Sequence, residues 1–158
     1  MSENQRETLS EVFCQVLEQV AFAFGELVPK SDLPPINHAD YLLCRIGFEG
    51  PFSGEIEIAT PSEYCRDLAA NTLGVEPEEA TSEMAADALK EIANVTCGQW
   101  LTAIAGEQPI FDLTVPEIEY MDQAEWEQFR DSQSSIALIV DEFPALISMS
   151  MEGEIPGD

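Results

Sequence analysis

Residues 41–59, YLLCRIGFEGPFSGEIEIA, alternate with a period of two. Leu42, Cys44, Ile46 and Phe48 fall on one side of the first half, and Tyr41, Leu43, Arg45 and Gly47 on the other. After the turn at Glu49-Gly50-Pro51, Gly54, Ile56 and Ile58 alternate with Ser53, Glu55 and Glu57. Successive side chains of a strand point to opposite faces, so the pattern predicts a β-hairpin with one buried face.

Upstream of the hairpin, Thr8-x-x-Glu11 reads as a capping box that opens a helix. Val12, Phe13, Val16, Leu17 and Val20 recur at helical spacing, and the helix is expected to run to about Leu27. Residues 29–38, punctuated by Pro34-Pro35, read as a loop. Downstream, Thr60-Pro61-Ser62-Glu63 supplies an N-cap, a proline at N1 and a glutamate at N3, with Gly74 placed as a C-terminal stop. A longer helix is predicted to start between Pro77 and Ser82 and to end at Ala105, before Gly106. A strand is expected at Phe111, Leu113 and Val115, then an acidic helix or loop over 122–131. A last hairpin pairs 136–140 with 146–151 across a turn at 141–144, and the tail 152–158 should fray. The expected fold class is α/β in the α+β sense: an antiparallel sheet of hairpins with long helices on one face. With no linker or low-complexity segment in sight, residues 1–158 read as one domain.

Acidic residues outnumber basic ones by 31 to 6, for a formal charge of −25. Such a surface repels phosphate backbones and anionic headgroups, which argues against nucleic acid and membrane as partners. It also weakens attraction to another acidic protein, so a protein partner would be held by local fit. The opening MSENQRETLSEVF has no basic segment followed by an apolar one, so no signal peptide is expected, and no apolar run approaches membrane-spanning length. Cys14, Cys44, Cys65 and Cys97 are widely spaced, without a CxxC pair, and read as reduced, mostly buried thiols of a cytoplasmic protein. No cluster has metal-ligand spacing, and no metal of the chain's own is expected.

The long helix carries the residues that stand out. At about 100° per residue with Asn94 at zero, Asp87, Glu91 and Gly98 lie near about 20°, 60° and 40°, on one narrow face. Ala85, Ala88, Leu89, Ile92, Thr96, Trp100 and Ala103 gather on the far side and should face the core. A polar stripe on an acidic protein is ordinarily just a solvated face. Gly98, however, costs about 1 kcal/mol relative to Ala inside a helix, and it would let another surface come close to Asn94. A shift of 73 positions aligns Glu18-x-x-Ala21-x3-Gly25 with Glu91-x-x-Asn94-x3-Gly98, a weak internal repeat.

The full set Asp87-x3-Glu91-x2-Asn94-x3-Gly98, followed by Pro116, resembles the signature of the CheC/CheX/FliY phosphatases of bacterial chemotaxis. Asn94 and Pro116 are separated by 21 residues, about one short of that family's spacing. The resemblance extends from the first helix to the terminal strands and implies a pseudo-two-fold fold of two similar halves. Within the family it is CheX-like: Cys14 and Ala21 stand where the second copy has Asp87 and Asn94, so the first helix reads as inactive, its Glu18 and Ala21 on an idle exposed face.

The resemblance implies a phosphatase acting on the aspartyl phosphate of a CheY-like response-regulator receiver, which brings the Mg2+. Asn94 would orient a water in line with phosphorus, since an amide can donate to one group and accept from another without acting as a base. Glu91 would pair with the receiver's lysine. Asp87 would support Glu91 or the interface, Gly98 would permit close approach, and Pro116 would shape a strand end. A homodimer is expected by the same analogy. His38, the only histidine, stands in the proline-rich loop, and no serine or cysteine has a nucleophile's context. Trp100 and Trp126 read as core or interface aromatics. Two other readings stay open: a non-catalytic binding module of the flagellar switch kind, and a phosphatase for a receiver outside chemotaxis.

Overall fold

The computed structural model describes residues 2–34 and 40–152. His38 and the tail from residue 153 onward lie outside the described residues. The elements are α1 (Glu3–Ala21), β1 (Gly25–Leu27), β2 (Tyr41–Glu49), β3 (Ser53–Pro61), α2 (Ser62–Leu73), α3 (Ser82–Ala105), β4 (Asp112–Leu113), β5 (Glu117–Met121), α4 (Gln123–Asp131), β6 (Ile136–Val140) and β7 (Phe143–Glu152).

All strand pairs are antiparallel, and the strands run in the order β1-β6-β7-β3-β2, with β4 and β5 both pairing along the outer edge of β2. Exchanging β1, β2 and β3 for β5, β6 and β7 turns this order into its own reverse. The repeat read from the helices is therefore a pseudo-two-fold axis between β3 and β7, the fold class that the sequence implied. The two central strands approach so closely that a Cβ on Gly54 would lie 2.3 Å from the carbonyl oxygen of Ser150.

Leu42, Cys44, Ile46 and Phe48 join Ile56, Ile58, Ile147 and Met149 under α1, α2 and α3, as the period of two requires. The opposite face is only half open. Tyr41, Leu43, Ala59 and Leu146 form a second buried cluster with Trp126 of α4, so one helix covers the face that the hairpin pattern left to solvent. The sequence reading assigned this hairpin a single buried face because Tyr41 and Leu43, apolar in both phases, are indistinguishable from edge residues until α4 is placed over them.

Several boundaries differ from expectation. The helix α1 opens at a capping box between Ser2 and Gln5, 3.1 and 3.0 Å, six residues ahead of Thr8. It ends at Ala21, where Phe22 turns left-handed (φ 53°), because Gly25–Leu27 leave the helix to pair with β6. Thr60 does not cap α2: it remains in β3 opposite Leu42, and its hydroxyl donates to the Pro144 carbonyl at 2.8 Å. The expected strand at Phe111, Leu113 and Val115 is broken. Thr114 holds Gly47 through two hydrogen bonds, Pro116 has no N–H to donate, and pairing with β2 resumes only at Glu117. The final hairpin turns in two residues, Asp141 and Glu142, both at positive φ (49° and 77°), and Glu152 still belongs to β7.

Candidate functional site

The helix α3 is capped at its start by Thr81, whose hydroxyl accepts the Met84 N–H at 3.1 Å, and at its end by Gly106, whose backbone is at φ 81°. Its buried stripe holds Ala85, Ala88, Leu89, Ile92, Thr96 and Trp100 as expected. Ala103 is exposed instead, because rows spaced by four residues drift around the helix and bring Ala93, Cys97 and Leu101 to the core. That packing fixes the opposite face. Asp87, Glu91 and Asn94 are all exposed on it, and none makes a hydrogen bond or ion pair with another described residue. Gly98 follows one turn later beside a shallow depression of about 480 Å³, lined also by Val12, Gln15, Val95 and Thr102.

The helix α3 thus offers two carboxylates, an amide and a bare backbone segment on an exposed helix face. It can donate and accept hydrogen bonds and carry negative charge into a partner's cleft, but it encloses no small molecule by itself. Among the described residues no group of three His, Cys, Asp or Glu side chains could hold a metal ion. Pro116, half-buried, sits in the break between β4 and β5, apart from this helix face in sequence and element. The first half does not reproduce the arrangement. Glu18 is exposed, but Ala21 is fully buried at the last position of α1, and Gly25 lies in a strand. The sequence reading placed Ala21 on an exposed face; the early end of α1 places it in the core.

One residue of the face was passed over in the sequence. Lys90 stands four residues before Asn94, half-buried, and its charge reaches Cys44 on β2 beneath α3. The signal was its spacing, hidden because one of six basic residues among 31 acidic ones reads as a solubilising charge. Burial pushes the Cys44 thiol up to about 12, with Lys90 offsetting it slightly, and pushes Cys97 to about 12 as well. All four cysteines are free.

Residues 42–139 match the family model for the chemotaxis phosphatase CheX, more than half of the chain. The chain belongs to this family. No curated protein matches it. Among solved structures, the chemotaxis protein CheX from Desulfovibrio desulfuricans superposes with a TM-score of 0.69 at 14% identity, covering 94% of this chain and 99% of that one. CheX from Vibrio vulnificus gives 0.69 at 18% identity, with 96% and 97% covered. A CheX-CheY-BeF3-Mg2+ complex from Borrelia burgdorferi gives 0.62 at 21% identity, with 94% and 97% covered. At these identities the likeness is one of fold. No helix of the described residues is long and apolar enough to cross a membrane.

Proposed function

We propose that this CheX-family protein acts as a single-domain cytoplasmic phosphatase for a CheY-like receiver, hydrolysing its aspartyl phosphate to aspartate and inorganic phosphate. The observation that carries the reading is the pair Glu91 and Asn94, exposed and without partners on one face of α3 in a chain of this family. Asn94 enters the receiver's site and orients a water whose oxygen attacks phosphorus as the acyl-phosphate P–O bond breaks. Phosphoryl transfer of this loose kind depends on positioning and charge placement more than on proton abstraction. Glu91 pairs with a lysine of the receiver and sets the depth of docking. Asp87 supports the contact, Gly98 leaves room for it, and Pro116 shapes a strand end. The Mg2+ belongs to the receiver; the Borrelia complex, by its description, contains CheX, CheY, BeF3 and Mg2+ together. The working unit is a homodimer, for which the exposed Ile110 and Val115 beside the β4–β5 edge offer apolar surface; light scattering at micromolar concentration tests it.

The deciding experiment mixes the protein with a panel of phosphorylated receivers and follows phosphate release against each receiver's own rate. Acceleration that Asn94→Ala abolishes supports the reading. If Asn94→Ala is as fast as wild type, or no receiver is accelerated, the non-catalytic module takes its place.

A further inference from the structure

Six basic side chains serve the whole chain, and five of them are already engaged. Arg6 donates to the carbonyls of Gln133 and Ser135, and Lys30 to that of Ser132. Arg45 sits among Glu55, Glu57 and Glu119 at 3.5, 3.0 and 3.4 Å, Arg66 donates to the Ser82 hydroxyl, and Arg130 pairs with Asp131. Lys90 alone has no hydrogen bond or ion pair with a described residue. In a chain of net charge −25, with Asp87 and Glu91 on the same helix, an uncommitted cation beside the candidate site is unexpected.

Its place adds to the point. Lys90 is one turn before Asn94, on the flank of α3 that lies over β2, and Ile118 of β5 is paired with Cys44 just beyond it. Lys90 is half-buried, as a long side chain is when its aliphatic stem lies along apolar surface and its charged head reaches toward water.

We infer that Lys90 is a specificity-determining contact: its ammonium pairs with a carboxylate on the rim of the receiver's phosphorylation site. The inference rests on the proposed function. A site that binds Mg2+ next to a phosphoryl group is built from carboxylates, so the partner presents negative charge where this protein otherwise presents more of it. A single cation at the point of contact converts local repulsion into attraction and gives register, while the rest of the acidic surface disfavours other acidic partners. Lys90 is thus a docking residue beside Asn94, with no part in the bond-breaking step.

The test compares Lys90→Gln, Lys90→Arg and Arg66→Gln, the last removing the same net charge away from this face. Each is assayed for phosphate release from a phosphorylated receiver that the wild type accelerates, at low and at moderate salt. For a partly exposed pair, Lys90→Gln should raise KM about three- to fivefold and flatten its salt dependence, with kcat unchanged. Lys90→Arg should restore KM, and Arg66→Gln should match wild type. If Lys90→Gln leaves KM and its salt slope unchanged while Asn94→Ala is inactive, the Lys90 inference is overturned and the phosphatase reading stands. An equal rise in Arg66→Gln would also overturn it, in favour of net charge. If no receiver is accelerated by wild type, both readings fall together.

Discussion

Gly98 lies one helical turn after Asn94 on the same face of α3, and a Cβ added to it would meet no atom within 4 Å. The fold therefore has no packing reason to exclude a side chain there. Gly98→Ala should raise the stability of α3 by about 0.5–1 kcal/mol, read from the urea midpoint, because a glycine in a helix interior is costly. Gly98→Leu should fold as well but raise KM for the phosphorylated receiver, since the bulk enters the space that a docked surface needs. A Gly98→Leu protein with unaltered KM would mean that nothing approaches this turn.

The two central residues should fail differently. The amide of Asn94 matters chiefly in the transition state, so Asn94→Ala should keep its affinity for a beryllofluoride-activated receiver while kcat falls by about a hundredfold or more. Glu91→Ala gives up a charge pair at the centre of the contact and should weaken binding itself, by roughly tenfold or more. Both side chains are exposed, so melting temperatures should match wild type. Identical binding losses in the two variants would contradict this division of labour.

Much of this was legible from residue patterns, and the exceptions have physical causes. The 41–59 hairpin, the span of α3 and the last hairpin follow from periods of two and 3.6 together with glycine stops, which are local signals. The end of α1 was not legible, because Phe22, Phe24 and Leu27 continue an apolar helical pattern, yet they turn out exposed around a strand that pairs with β6, 111 or more positions later in the chain. That long-range pairing also decided the site's asymmetry. Ala21 is 0% exposed, so Ala21→Ser buries a hydroxyl and should cost about 1–3 kcal/mol, where an exposed alanine would have tolerated it. The face of Asp87, Glu91 and Asn94 was legible because a single helix carries it; the break at Thr114–Pro116 was not, since it depends on what β2 offers across the sheet.

The second core makes its own prediction. Trp126 stacks on Tyr41 with ring centroids 4.2 Å apart and planes 10° from parallel, and the Tyr41 hydroxyl donates to Gln123 at 2.7 Å. Trp126→Ala should cost about 3–5 kcal/mol, as for other buried large-to-small changes. Because α4 and α3 lie on opposite faces of the sheet, the activity per folded molecule should stay near wild type at low temperature. A Trp126→Ala protein as stable as wild type would show that α4 does not hold this face.

Alkaline pH should undo the fold through its buried thiols. Burial holds Cys44 and Cys97 near about 12 and pushes Cys65 and Tyr64 upward as well. In the unfolded chain a thiol ionises near about 8.5, so above that pH the unfolded state binds fewer protons than the native one. Stability is then fully present below about pH 8.5 and declines as pH rises toward the native values, by about 1.4 kcal/mol per pH unit for each thiol. Urea midpoints at pH 8, 9.5 and 10.5 should fall in that order, and Cys97→Ala should show a shallower fall than wild type, whatever its starting stability. Below pH 9 a thiol reagent should find Cys14 first, the one cysteine that is only half-buried, and the other three only after unfolding. Flat midpoints to pH 10.5, together with rapid labelling of all four thiols in the native protein, would show that Cys44, Cys65 and Cys97 are not sealed in the core between the helices and the sheet.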